Sequence, residues 1–129
     1  MTALDTNVLV RYLTQDDDAR FRKVLQLLNR KRAEFFVCDL VLAETDWVLR
    51  SLYDWTCGDV ADAFARLTTI HNLTFENEGR LRASLKALRD GADLADELIV
   101  RACREHGANA FATFDKNIVQ RHKPFASTP

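Results

Sequence analysis

The chain has 129 residues, 47% of them hydrophobic and 29% charged, with a formal net charge of −1. Those values fit one soluble domain of ordinary composition, and four Gly and two Pro exclude a fibrous or Pro/Gly-rich chain. Net charge supplies no argument for nucleic acid, and no apolar run approaches the roughly 20 residues that a bilayer span needs.

Taken in chain order, short apolar strands alternate with longer helical segments. Thr2–Leu4 reads as a strand that must pause at Asp5-Thr6-Asn7, which is turn and cap chemistry, before a short helix over Val8–Leu13. Asp16-Asp17-Asp18 precedes an amphipathic helix, about Ala19–Arg32, with Phe21, Val24, Leu25 and Leu28 on one face. Its acids lie at the N-terminus and Arg30-Lys31-Arg32 at the C-terminus, as the helix dipole favours. Glu34–Cys38 reads as a buried strand. Asp39 can cap a helix over Leu40–Asp54, and Gly58-Asp59 breaks the chain before another helix, Val60–Thr69.

Leu73–Phe75 is a third strand candidate. Asn77 caps a helix ending near Arg89, and Asp93 caps one over Leu94–His106 that Gly107 stops. Ala110–Phe114 is a fourth strand, followed by Asp115 and a short helix. Such alternation predicts an α/β domain with a mostly parallel sheet of about four strands flanked by helices. Ligands of such sheets bind beyond the carboxyl ends of the strands. Cys38, Cys57 and Cys103 are odd in number and widely spaced. With no signal-peptide pattern at Met1–Asp5, they predict reduced thiols and a cytoplasmic protein.

Four acids stand out from those on solvated faces. Glu44 falls near the middle of the apolar face that Leu40, Val41, Trp47, Val48 and Leu52 form on a helical wheel. A carboxylate there needs a metal, several donors or an ion pair with an arginine from another helix. Asp5 and Asp115 occupy matching positions, in Ala3-Leu4-Asp5-Thr6-Asn7 and Thr113-Phe114-Asp115-Lys116-Asn117. Each is a strand end followed by a helix, where capping is the plain role. If both strands belong to one parallel sheet, both carboxylates emerge at its ligand-binding edge. Asp96 lies in the first helical turn after Asp93, at the margin of the apolar face, with Glu97 on the wet side. Four carboxylates in one cleft would repel unless a cation compensated, and oxygen-only donors suit Mg²⁺ or Mn²⁺. Such an ion can activate water and orient a phosphodiester.

Four blocks carry a family resemblance: Leu4-Asp5-Thr6-Asn7-Val8-Leu9, Leu42-Ala43-Glu44-Thr45-Asp46-Trp47-Val48-Leu49, Ala95-Asp96-Glu97-Leu98-Ile99 and Ala112-Thr113-Phe114-Asp115-Lys116. In this order and spacing the chain resembles the PIN-domain ribonucleases, most of all the VapC toxins of bacterial toxin–antitoxin pairs. The resemblance implies one PIN-like three-layer domain over residues 1–129. It also implies a metal-dependent endoribonuclease acting on RNA such as tRNA or rRNA, with a water nucleophile that leaves a 3′-hydroxyl and a 5′-phosphate. It makes Asp5, Glu44, Asp96 and Asp115 the catalytic and metal-binding acids, for Mg²⁺ or Mn²⁺. Thr6, Asn7 and Thr113 match supporting positions. Glu97 departs from the family pattern, where a small residue is common. Implied partners are an RNA substrate, a VapB-like antitoxin and a second copy of the chain in a homodimer; no membrane partner is implied.

Basic residues cluster at Arg20–Lys23, Arg30–Arg32 and Arg80–Arg89, where solvated helix faces compete with contacts to an RNA backbone. Arg11, about two turns after Asp5, is the best single candidate for RNA contact. Trp47 reads as core, and Trp55 as an interface residue. His71, His106 and His122 read as surface or helix-end residues. Two other classes stay open: a phosphatase or phospho-acceptor domain using an Asp, and a non-catalytic RNA- or protein-binding module. The phosphatase pattern wants an Asp two residues after the first, where Asn7 stands.

Overall fold

A computed structural model describes all 129 residues. Seven helices and five short strands alternate: β1 Thr2–Ala3, α1 Thr6–Thr14, α2 Asp18–Leu28, β2 Phe35–Val37, α3 Asp39–Leu52, α4 Cys57–Leu67, β3 Leu73–Phe75, α5 Glu78–Arg89, α6 Leu94–Glu105, β4 Phe111–Ala112, α7 Lys116–His122 and β5 Ala126–Ser127. The strands β1, β2 and β3 pair in parallel, in that order. The mixed α/β class with a helix-flanked parallel sheet is therefore as anticipated.

The fourth strand behaves differently. β4 pairs in parallel with β5, a C-terminal strand that the sequence pattern did not reveal, and not with β1. The three parallel pairings thus make a sheet of three strands and a separate sheet of two. The core divides in the same way. Phe35, Val37, Leu42, Leu49, Phe64, Leu88 and Leu94 belong to the main cluster, while Val100, Ile118 and Ala126 form a small one of their own. Apolar burial drives each cluster, at roughly 25 cal/mol per Å².

Helix boundaries follow local chemistry. Asp17 accepts from Arg20 N–H at 3.0 Å and starts α2. That helix stops at Leu28, earlier than Arg32, so Arg30–Arg32 lie in the turn that follows, with Arg32 at φ 58°. Thr56 starts α4 with a reciprocal capping box to Asp59, so Gly58-Asp59 sits inside the helix and does not break it. Two caps fall where expected: Asn77 on α5 and Asp93 on α6. Gly91, at φ 97°, makes the left-handed turn between them.

Asp39 has a different task from the capping predicted for it. Cys38 is the N-cap of α3 and makes no side-chain cap bond. The Asp39 carboxylate instead accepts from Arg80 Nε at 2.8 Å. Arg80, buried in α5, also binds Glu76 at 3.0 Å and Glu105, tying the ends of β2 and β3 to the end of α6. Burial pushes the Asp39 carboxyl above its usual range, against the pull of Arg80. No helix is long and apolar enough to cross a membrane. All three cysteines are free.

Candidate active site

Asp5 and Asp115 share a local design. Asp5 is the N-cap of α1, with Oδ1 accepting from Thr6 N–H at 2.8 Å. Asp115 is the N-cap of α7, with Oδ1 accepting from the N–H groups of Asn117 at 2.8 Å and Ile118 at 3.2 Å. Each cap uses one carboxylate oxygen, Oδ1, and the other makes no hydrogen bond within the protein. Thr113 Oγ1 accepts from Asp115 N–H at 3.0 Å, which holds the approach to the cap. The Thr6 hydroxyl is buried without a partner, so Thr6 orders Asp5 through its backbone N–H. Asn7 is exposed and its side chain makes no hydrogen bond. The shared plan of the two segments is real, but their strands lie in different sheets, because β4 is drawn to β5 and the small C-terminal core.

Asp96 lies in the first turn of α6, half-buried, and Asp93 caps that helix by accepting from Asp96 N–H at 3.0 Å. Burial and then the charges of Asp93, Asp115 and Glu97 push the Asp96 carboxyl above its usual range. Asp115 therefore stands within electrostatic reach of Asp96. This crowding of like charges in a cavity is a pattern that active sites share.

The wheel placed Glu44 on a core-facing surface, and the structure corrects this. Leu40, Trp47 and Leu52 are exposed, as is Glu44 itself, whereas Leu42, Thr45, Asp46 and Leu49 face inward. α3 carries apolar residues on two sides, and only packing against α1 and α6 chooses between them. The ion pair that could have explained Glu44 is absent: its side chain pairs with no arginine. The paired acid is Asp46, 2% exposed and held by Arg50 through two bonds of 2.8 Å. Arg50 also reaches Asp93 at 3.6 Å, linking α3 to the start of α6. Sequence reasoning passed over Asp46 and Arg50, although their i, i+4 spacing on one helix was a usable signal.

Glu97 is likewise corrected. It is buried, not on the wet side, and His122 Nε2 lies 2.7 Å from its Oε2, with Arg101 Nε at 3.4 Å. His122 stands at the end of α7, one of the two places anticipated for it, and is there a half-buried partner of Glu97. The tryptophans exchange roles: Trp47 is 58% exposed, while Trp55 packs against the main core. Arg11 is engaged with Asp16 at 3.1 Å, and Tyr53 donates to the same carboxylate at 2.7 Å.

No three Asp, Glu, His or Cys side chains converge closely enough to grip one ion. A cage of protein ligands does not fit. A hard cation that keeps most of its waters does fit, since Mg²⁺ commonly uses one or two carboxylates. Asp96 and Asp115 are the pair that would hold it, because positive charge relieves the repulsion at Asp96.

A helix-flanked parallel sheet, with Asp5 capping α1 just beyond β1 and a charge-crowded carboxyl at Asp96, makes this an α/β protein with acids gathered at its helix N-termini. The sequence matches the PIN domain family over residues 2–124, and the chain belongs to that family. PIN domains are in general nucleases, and typically use divalent metals. Comparison with curated proteins and with solved structures gave no match.

Proposed function

We propose that this protein is a VapC-type toxin: an endoribonuclease that hydrolyses RNA phosphodiester bonds with Mg²⁺ or Mn²⁺ in the cytoplasm. In this reading a VapB-like antitoxin restrains it and it works as a homodimer. The observation that carries the reading is Asp96, half-buried and crowded by Asp93, Asp115 and Glu97 beside a cavity. When bound, a divalent ion supplies Lewis-acid polarisation of the phosphate and acidifies water.

The chain's own residues do the positioning. Asp115 lies within electrostatic reach of Asp96, and its cap bonds to Asn117 and Ile118 hold it in place. Asp5 presents a second capped carboxylate at the end of β1, and Glu44 a free one on the outer face of α3. No side-chain nucleophile is required, since water can be the attacking group. The exposed Leu40, Trp47 and Leu52 on α3 give a protein partner an apolar patch to cover.

A non-catalytic binding module is the second reading, favoured by the failure of three acids to converge. The two part on one assay. Purified protein, free of antitoxin, is incubated with tRNA and rRNA in Mg²⁺, Mn²⁺ or EDTA, beside Asp96→Asn. Discrete fragments that need metal and vanish in the variant support the toxin reading. RNA binding without metal-dependent fragments supports the module.

A further inference from the structure

A cavity of about 600 Å³ opens between α5, α6 and α7. Lys86, Arg104, Arg121 and Lys123 line it, and none of them is paired with a carboxylate. The acids on its wall are mostly spent. Glu105 is taken by Arg80, and Glu97 by His122 and Arg101, which leaves only Asp90. Arg104 lies over the Phe125 ring at 4.3 Å, a cation–π contact that steadies the guanidinium and leaves its N–H donors available. Arg121 donates to the Asp90 carbonyl at 2.9 Å and is likewise fixed without being neutralised.

The cavity is not isolated. A smaller one, of about 190 Å³, shares Glu97, Arg121 and His122 with it and is lined by Asp93, Asp96 and Asn117. The cationic space therefore runs into the acidic one. Its only apolar lining residues are Ala83 and Ala87. Protein interfaces place aromatic and large apolar side chains at their centre, and this cavity has none. A chain of phosphates fits it better than a polypeptide.

We propose that the α5–α6–α7 cavity is a binding site for the phosphate backbone of single-stranded RNA, and that it leads the strand to Asp96. Lys86, Arg104, Arg121 and Lys123 are its phosphate contacts. The identity of the polyanion rests on the nuclease reading; the cationic site does not. A second cavity of similar size, about 610 Å³, carries Arg30, Lys31 and Arg32, but it lies before β2 and β3 and shares no lining residue with the first. It serves as an internal control.

The test uses fluorescence anisotropy of a 20-nucleotide single-stranded RNA in EDTA, over a range of salt. Lys86→Gln/Lys123→Gln removes two cations that make no hydrogen bond or ion pair within the protein, so folding is preserved. The control is Arg30→Gln/Lys31→Gln. The expected result is about tenfold weaker binding for the first variant. Its log–log salt slope should flatten by roughly 1.4, from about 0.7 per lost phosphate contact. The control should bind as wild type. Unchanged binding in the first variant, or equal losses in both variants, would overturn the proposal. So would tighter binding of a polyglutamate peptide than of the RNA, which would make the cavity a protein site. Metal-dependent cleavage by the wild type is read separately. If cleavage is present while the cavity variant binds normally, only the cavity proposal falls. If cleavage is absent while the variant loses RNA, only the nuclease reading falls.

Discussion

Arg50 grips Asp46 through both carboxylate oxygens at 2.8 Å, and Asp46 is 2% exposed. The pair is internal to α3, yet it faces α6, where Arg50 reaches the Asp93 cap at 3.6 Å. The helix that carries Glu44 on its outside thus holds the start of the helix that carries Asp96. An ion pair in this position is costly to break, because a lone buried charge has nowhere to go.

Arg50→Met should therefore destabilise the fold by about 3–5 kcal/mol, the range for stranding one member of a buried pair. The joint replacement Asp46→Leu/Arg50→Met should recover most of that loss. Urea unfolding at pH 7 measures both, and additive losses in the double variant would contradict the coupling.

Asp96→Asn should abolish cleavage and raise stability together. Its folded carboxyl is shifted upward by burial and by Asp93, Asp115 and Glu97, so the ionised form is strained at neutral pH. A group shifted in this direction favours the fold as pH falls through its folded pKa, because protonation relieves the strain. The wild type should accordingly melt closer to the variant as pH is lowered toward the carboxylate range. A lower Tm for the variant at pH 7 would remove the argument that the site is electrostatically strained.

Mg²⁺ or Mn²⁺ should raise the melting temperature by mass action, with about 2.7 kcal/mol available at a hundred times the dissociation constant. Asp115→Asn should blunt the effect, and Glu44→Gln should blunt it less, since Glu44 stands on the outside of α3. Differential scanning fluorimetry against metal concentration reads this. An equal response in wild type and Asp115→Asn would place the ion elsewhere.

Asp16 is held at about 2 by hydrogen bonds from Tyr53 first, then Thr14 and Arg11. A depressed carboxyl contributes stability above its unfolded pKa and loses it as pH falls through the folded value. The Asp16 clasp between the end of α1 and the end of α3 should therefore weaken between about pH 4 and pH 2. Tyr53→Phe should move that weakening to higher pH, as followed by acid titration of Asp16 by NMR.

Thr56→Ala removes the hydroxyl half of the capping box on α4 and should cost about 1 kcal/mol. Thr56→Ser should cost much less. Thermal unfolding distinguishes the two.

Much of this molecule was legible in its sequence because it depends on neighbours in the chain. The N-caps Asn77 and Asp93, the acids at the start of α2 and the parallel α/β class follow from residues a few positions apart. The matching plans around Asp5 and Asp115 could also be read, since a strand end and a helix cap are local events. Which side of α3 lies inside could not. That helix carries leucines on two faces, and the choice of Leu42 and Leu49 over Leu40 and Leu52 is made by what α1 and α6 press against it. The same choice put Asp46 in the interior, left Glu44 outside and exposed Trp47. Glu97 became buried because His122, 25 residues away, came back to meet it. The pairing of β4 with β5 also lay beyond periodicity, because hydrogen bonding between strands two or three residues long is decided by the small core that Val100, Ile118 and Ala126 build. Local chemistry set the caps and the acids; only long-range packing decided which acids meet.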